Sequence, residues 1–222
     1  MQLSAMLAAC LCGPYTHVEN SGDFRLVRTG CRLWIYFAHS DGAIDWKNNL
    51  DFPARALAAG EPRLLVHRGF LRVWRSIEPH VRDAILDART QSVVTVGYSH
   101  GAALALLAYD YILRARPDLR SAVEGYGFGA PRVLWGCHRK SIRERFSHFT
   151  VIRNIDDIVT HLPPVLLGYF HAGELLAVGK RGSYSAFDAH RPENILYELR
   201  NFEKKERDGR SVSRPMFETV RN

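Results

Sequence analysis

SVVTVGYSHGAALALLAYDY, residues Ser92–Tyr111, is the stretch of sequence that decides the fold. Its β-branched start, SVVTV, predicts a buried strand, and the small and aliphatic residues after Gly101 predict a buried helix. Between them, GYSHG matches the G-x-S-x-G pattern, which lifts a serine above the sheet edge on a sharp strand-to-helix turn. Glycine suits both ends because side chains there would collide with the neighbouring strand and helix. The stretch therefore predicts an α/β sheet with Ser99 as its nucleophile.

Further strands and helices alternate along the chain. Apolar runs predict strands, and apolar residues at three- and four-residue spacing predict helices. The predicted strands are 31–38, 92–96, 123–128 and 148–153, and the predicted helices are 1–11, one beginning near Gly69, 101–111 and 192–203. Alternation of this kind implies parallel strands joined by right-handed crossovers. We expect an α/β fold, with a mostly parallel central sheet and helices on both faces.

Length and composition limit the classes of protein to consider. The 222 residues, 46% of them hydrophobic, suit one domain over 1–203, followed by a polar tail over 204–222 that we expect to fray. No apolar run reaches the ~18 residues of a transmembrane segment. The net charge of +7 favours an anionic lipid surface as a partner. Nucleic acid is not expected, because zinc-finger spacings and a basic recognition helix are both missing.

The four cysteines and the N-terminal residues bear on the compartment. Cys10, Cys12, Cys31 and Cys137 do not form a disulfide framework in a chain of this length, which predicts reduced, mostly buried thiols. Leu7-Ala8-Ala9-Cys10 resembles a lipoprotein cleavage site, but no lysine or arginine precedes it and the apolar stretch is short. We expect a cytoplasmic protein, with a lipoprotein or secreted protein as the alternative.

A serine nucleophile needs a histidine base and a carboxylate that orients the histidine. In this type of fold the carboxylate and then the histidine follow the serine along the chain. Asp156 and Asp157, directly after a predicted strand, are both candidates for the carboxylate. His190, on a separate loop just before the last helix, is better placed as the base than His161, which shares the loop of the aspartates.

The oxyanion of the tetrahedral intermediate needs hydrogen-bond donors. One donor is expected to be the main-chain N–H of His100, the residue after the nucleophile. The second is expected from the loop after the 31–38 strand, at His39-Ser40. No metal or cofactor is expected, since histidines spaced as zinc ligands around a glutamate do not occur.

Six landmarks in this order resemble the class 3, or fungal-type, lipases of the α/β-hydrolase superfamily. They lie between Trp34 and Tyr197, and together they are more specific than any single motif. They are Phe37–Ser40 with Asp45-Trp46, Val66–Leu71, Gly97–Gly101, Tyr126–Val133, Asp157–Val159 with Leu162–Pro164, and Gly168–Glu174. The resemblance implies an α/β-hydrolase fold and hydrolysis of carboxylic esters.

Carried over residue by residue, the resemblance makes Ser99 the nucleophile, Asp157 the orienting acid and His190 the base. It makes Ser40 and His100 the oxyanion donors and leaves His171 a structural role. The substrate pocket is expected to include His39, Trp46, Tyr98, Val133 and Val165.

This chain departs from the family pattern at several positions. Ala38-His39 stand where the family usually has Arg-Gly, and Thr160 replaces a proline. The turn reads Tyr-Ser-His instead of the common His-Ser-Leu. The expected lid, Asp41–Asn49, is mostly polar, with Trp46 as its one aromatic side chain, which predicts weak interfacial activation.

The sequence leaves several functions open. A lipase or esterase acting on acylglycerols or similar lipid esters is expected first, and a phospholipase A1 or a short-chain esterase is the alternative. A lipid-binding protein without catalytic activity is the alternative of another class, although all three members of the triad are present.

Overall fold

A seven-stranded sheet organises the protein in a computed structural model, which describes residues 1–18, 22–38, 51–57, 64–136 and 140–209. In spatial order its strands are β1 (Thr16–Val18), β2 (Gly22–Thr29), β3 (Arg32–Phe37), β6 (Ser92–Tyr98), β7 (Val123–Phe128), β9 (Phe149–Asn154) and β11 (Glu174–Val178). The strands from β3 to β11 pair in parallel, while β1 and β2 add an antiparallel edge. The carboxyl ends of the parallel strands therefore meet at one edge.

Helices cover both faces of this sheet. They are α1 (Leu3–Leu11), α2 (Arg68–Leu86), α3 (His100–Ala115), α4 (Lys140–Arg145) and α5 (Pro192–Arg207). Phe70, Trp74 and Ile77 of α2 pack with the aliphatic side chains of α3 on one face. Leu7 of α1 and Leu199 of α5 lie in the core of the other face. The expected fold class, a mostly parallel α/β sheet with helices on both faces, is confirmed.

A second, smaller sheet lies against the carboxyl edge. Its strands, in spatial order, are β10 (Tyr169–Phe170), β8 (Leu134–Trp135), β5 (Leu65–His67) and β4 (Ala54–Ala56), all antiparallel. Short 3₁₀ turns at Val159–His161, Val165–Leu167 and Asp188–His190 complete this edge. The loops that approach Ser99 are therefore held by regular hydrogen bonding.

The predicted elements agree with the structure to within a few residues at most ends. The helix after Ser99 begins one residue early, at His100, and continues to Ala115. The last helix continues four residues past the predicted Glu203, because Leu199 and Glu203 remain buried against the body of the protein. Within that contact, Glu203 accepts hydrogen bonds from the main chain and hydroxyl of Ser4 in α1, at 2.9 and 2.6 Å.

The prediction of mostly buried cysteines is wrong for two of the three that the structure describes. Cys10 is buried under the sheet, but Cys12 and Cys31 are exposed. They follow α1 and occupy the β2–β3 turn, where no core element covers them. Among the described residues, no helix is both long and apolar enough to cross a membrane.

Candidate active site

The turn between β6 and α3 holds Ser99 in a strained conformation. Its φ of 55° and ψ of −120° make it the one non-glycine residue with positive φ in the described part of the chain. Such a conformation costs about 1–3 kcal/mol and persists only where its surroundings enforce it. Here the Ser99 main-chain N–H donates to the carbonyl of Phe128 in β7, at 2.8 Å. The hydroxyl is thereby presented at the carboxyl edge of the sheet.

Gly97 and Gly101 allow this turn because there is no space for a side chain at either position. A Cβ on Gly97 would lie 2.0 Å from the carbonyl oxygen of Gly101. A Cβ on Gly101 would lie 2.3 Å from the carbonyl oxygens of Phe37 and Ala38, at the end of β3. Contacts under 3.0 Å do not occur for real Cβ atoms. The glycine spacing of the motif is therefore a steric requirement in this protein.

Ser99, His190 and Asp157 form a continuous hydrogen-bonded chain. The Ser99 Oγ lies 2.8 Å from His190 Nε2, and His190 Nδ1 lies 2.9 Å from Asp157 Oδ2. The three residues follow β6, precede α5 and follow β9, respectively. Ser99 and His190 are partly exposed, with 18% of the His190 side chain accessible, whereas Asp157 is fully buried. A substrate can reach the hydroxyl and the imidazole, while the carboxylate is shielded from water.

The two neighbouring aspartates have different surroundings. Asp157 Oδ1 also accepts the main-chain N–H of Val159 at 2.9 Å, which fixes the carboxylate toward His190. Asp156 instead accepts the main-chain N–H groups of residues 182–184, at 2.9 to 3.4 Å, and these hydrogen bonds lower its pKa. Asp156 therefore holds the turn that leads to the loop of His190.

The other candidate histidines lie apart from this chain of hydrogen bonds. His171 is buried and its Nε2 lies 2.8 Å from the carbonyl oxygen of Thr160. His161 belongs to a 3₁₀ turn, and its carbonyl accepts a hydrogen bond from the guanidinium of Arg132. Both residues hold the 157–171 segment together.

Two residues that position His190 were not assigned this role from the sequence. Tyr98 was expected in the substrate pocket, but only 4% of it is exposed and its ring stacks on His190, with centroids 5.3 Å apart and an interplanar angle of 22°. Its hydroxyl donates to the His190 carbonyl. Burial raises the pKa of Tyr98, with the nearby Asp157 charge adding to the effect, so the hydroxyl stays protonated and remains a donor.

Gly129 is the second such residue. It has a φ of +58°, and a Cβ there would lie 3.0 Å from His190 Cε1 and 3.3 Å from Asp157 Oδ2. Its glycine therefore leaves room for the imidazole–carboxylate pair. The Gly-Ala-Pro run at 129–131 signals a special backbone, but only the structure places it beside His190.

Of the two expected oxyanion donors, the structure describes His100. His100 is the first residue of α3, so its main-chain N–H is one of those that the helix itself does not use. The side chain is 3% exposed and packs edge-on against Phe70, with ring centroids 5.3 Å apart. Burial, assisted by the nearby His67, lowers the pKa of His100 to about 4, so the imidazole is neutral at pH 7. Ser40, His39 and Trp46 lie outside the described residues.

The remaining pocket candidates occupy two different environments. Val133 is buried and lines a small apolar cavity between the start of α3 and the loop after β7. Its neighbours around this cavity include Ala102, Leu106 and Phe149. Val165 is instead 40% exposed on the surface of the loop after Asp157. Val133 therefore faces the interior of the protein, and Val165 faces solvent.

Comparison with known proteins gives one consistent family. A secreted mono- and diacylglycerol lipase of Fusarium solani is 29% identical over 133 residues, which are 57% of this chain and 38% of that protein. A phospholipase A1-II of Oryza sativa is 30% identical over 200 residues, covering 72% of this chain and 47% of the relative. The chain thus spans less than half the length of either relative.

Solved structures give the same result for the fold. The Rhizomucor miehei triacylglyceride lipase superposes with a TM-score of 0.61 at 25% identity, covering 75% of this chain and 66% of that one. The family model for lipase (class 3) matches residues 35–167, a range that contains the Ser99 turn and Asp157. With the fold and the geometry around Ser99 in agreement, the chain belongs to the class 3 lipase family.

Proposed function

We propose that this protein is a serine ester hydrolase that cleaves carboxylic esters of lipids through an acyl-enzyme. The observation that carries the proposal is the hydrogen-bonded chain from Ser99 Oγ through His190 to the buried Asp157, at 2.8 and 2.9 Å. These distances are those required for transfer of the serine proton to the imidazole. Family membership supports the same chemistry.

In the acylation step, Ser99 Oγ attacks the ester carbonyl carbon while His190 Nε2 takes the hydroxyl proton. Asp157 stabilises the imidazolium through Nδ1 without taking the proton itself. The His100 N–H and Ser40 are assigned as donors to the oxyanion. His190 then protonates the departing alcohol, which leaves the acyl group on Ser99.

In the deacylation step, His190 takes a proton from water, and the resulting hydroxide attacks the acyl carbon. Collapse of the second tetrahedral intermediate releases the carboxylic acid and returns the proton to Ser99. Loss of one oxyanion donor typically costs about 3 kcal/mol of transition-state stabilisation, so the N–H of His100 and the donor at Ser40 each contribute substantially to the rate.

Acylglycerols and similar lipid esters are the substrate class that we assign first. The mono- and diacylglycerol lipase among the relatives favours this class. A phospholipase A1 activity is the second candidate, favoured by the rice relatives and by the net charge of +7, which suits anionic phospholipids.

The test is a panel of p-nitrophenyl esters of increasing chain length, triacylglycerols and phospholipids, measured with the parent protein and with Ser99→Ala. We expect ester hydrolysis by the parent and a loss of at least about 10³-fold in the variant. Turnover of phospholipid at its sn-1 ester would select the phospholipase assignment. A parent protein without activity on any ester, but with lipid affinity, would match the non-catalytic alternative and contradict the proposal.

The location of the protein is a separate part of the proposal. The name of the Fusarium relative favours export over the cytoplasmic location expected from the sequence. Fractionation of the source cells, with the chain detected by antibody, decides between a secreted and a cytoplasmic protein.

A further inference from the structure

Apolar side chains are concentrated on one exposed surface, which we call the apolar tip and define by Leu162, Val165, Leu166, Leu167 and Trp135. These five are among nine large apolar side chains exposed in the described residues. Leu166 is 99% exposed, Leu167 52%, and the other three about 40%. Scattered exposed leucines need no explanation, but a contiguous apolar patch indicates a binding surface.

Hydrogen bonds within the tip hold its side chains on one contiguous surface. The Trp135 Nε1 donates to the Leu167 carbonyl at 2.8 Å, and the Gly136 N–H donates to the Gly168 carbonyl at 2.9 Å. Strand β8, which contains Trp135, also pairs with β10, which begins directly after Gly168. The indole and the three-residue turn Val165–Leu167 thus form one surface.

The exposure of these side chains is built into the backbone. The main-chain N–H groups of Leu167 and Gly168 donate to the carbonyls of Pro164 and Val165, at 3.0 and 2.7 Å. At the base of the tip, the Arg132 main-chain N–H donates to the Leu162 carbonyl at 2.7 Å, and its guanidinium donates to the Pro163 carbonyl at 3.2 Å. The turn is therefore fixed in a form that holds Leu166 outward in water.

The apolar tip borders the candidate active site. It continues directly from Asp157 through the 3₁₀ turn Val159–His161, and it rests on Arg132, four residues after the strand whose last carbonyl binds Ser99. On the side of His190, Phe187 is 74% exposed, and its carbonyl accepts the His190 N–H at 3.1 Å. Exposed apolar groups thus lie on two loops that carry members of the site.

We propose that the apolar tip inserts into a lipid surface and holds the Ser99 site against the lipid esters there. This inference rests on the proposed function, because it is the lipid substrate that places a lipid surface at this edge. Leu166 is the most exposed member of the tip and projects into solvent, the form suited to entry among acyl chains. The Trp135 N–H is already satisfied, so its ring can leave water without losing a hydrogen bond.

The charges near the apolar tip also favour a lipid surface as its partner. Residues 158–173 contain neither aspartate nor glutamate, so the tip carries no charge that anionic headgroups would repel. Lys180 and Arg181 are exposed on the turn that follows β11 at the same edge of the sheet, where Asp156 is occupied by main-chain N–H groups. We therefore infer attachment that is mainly apolar and is strengthened by anionic lipid.

Attachment of this kind does not require movement of a lid, because the tip is exposed in the structure as it stands. Binding to lipid and hydrolysis of a soluble ester should therefore be separable. Substitution of Leu166 and Leu167 should weaken binding to lipid and leave the hydrolysis of a soluble ester unchanged.

The experiment measures vesicle binding in a Ser99→Ala background, which excludes hydrolysis. Flotation is carried out with vesicles of phosphatidylcholine alone and of equal parts phosphatidylcholine and phosphatidylglycerol. The test variant is Leu166→Ser with Leu167→Ser. The matched control is Leu86→Ser, since Leu86 is also exposed, at 46%, but ends α2 at the opposite edge of the sheet. We expect the double variant to bind at least about tenfold more weakly and the control to bind like the parent.

Three results would overturn the inference. The first is equal vesicle binding by the double variant and the parent. The second is binding that salt abolishes but that the two leucine substitutions leave unchanged. The third is a parent protein that is a dimer on size-exclusion chromatography, with the double variant a monomer. Activity on p-nitrophenyl butyrate is measured separately with Ser99 intact. Its absence would contradict the proposed function, whereas the flotation result concerns the apolar tip alone.

Discussion

The buried His100 contributes to the pH dependence of the protein's stability, and His100→Leu should remove that contribution. The imidazole is 3% exposed, and burial, with a smaller contribution from His67, lowers its pKa from 6.5 to about 4. The unfolded chain binds this proton below pH 6.5, but the folded protein does not bind it until about pH 4. Stability is therefore complete above pH 6.5 and decreases as the pH falls through this window.

The two pKa values set the size of the effect. A difference between 6.5 and about 4 corresponds to about 3 kcal/mol of stability lost across the window, and about 2 kcal/mol of this is already lost at pH 5. Leucine has no proton to gain and is the residue that the family commonly carries at this position. It also suits the apolar contact with Phe70.

Urea unfolding at pH 7.5 and pH 5 measures the effect. The free energy of unfolding of the parent should fall between these pH values by about 2 kcal/mol more than that of His100→Leu. His148→Gln is the matched control for the loss of a histidine, because the His148 side chain is exposed. An identical pH dependence for the parent and His100→Leu would refute the assignment of the effect to the buried imidazole.

Four further predictions concern the site. Asp157→Asn should keep the fold, by circular dichroism, and lower kcat on p-nitrophenyl butyrate by about 10⁴-fold, because the amide selects the wrong tautomer of His190; a loss under tenfold would contradict this. Gly101→Ala should give insoluble or unfolded protein, since its Cβ would overlap two carbonyl oxygens at the end of β3; a thermal unfolding midpoint equal to that of the parent would show that the contact can relax. Tyr98→Phe keeps the ring on His190 but removes the hydroxyl, so kcat should fall several-fold at constant KM, whereas Tyr98→Ala should lower it further; equal losses would assign the effect to the hydroxyl alone. Activity on tributyrin should rise only weakly as the ester passes its solubility limit, because the expected lid is mostly polar, and a sharp rise would contradict this.

Much of the fold could be predicted from local patterns. The β-branched run before Gly97 and the small-residue run after Gly101 are typical of a buried strand and a buried helix, and both are observed. The antiparallel strands were harder to predict. In Gly22–Thr29 only Phe24 is buried, and the neighbouring arginines partly face solvent, so the segment has no continuous apolar run of the kind that marks a buried strand.

The candidate site, too, could be predicted only in part. The G-x-S-x-G motif and chain order predicted Ser99 and His190 and reduced the acid to two neighbouring aspartates, of which the family resemblance selected Asp157. The structure gives the physical difference between them, since Asp157 is hydrogen-bonded to His190 and Asp156 to the turn at 182–184. The stacking of Tyr98 on His190 joins residues 92 positions apart through two loops, and no local pattern encodes such a contact.

Covalent labelling of Ser99 tests the central claim most directly. A fluorophosphonate probe, followed by peptide mass spectrometry, should modify Ser99 alone, and His190→Ala should slow this labelling by orders of magnitude because the hydroxyl loses its base. Labelling should be absent in Ser99→Ala, together with ester hydrolysis. Labelling of another residue at the parent rate, or full activity in Ser99→Ala, would contradict the claim that Ser99 is the nucleophile.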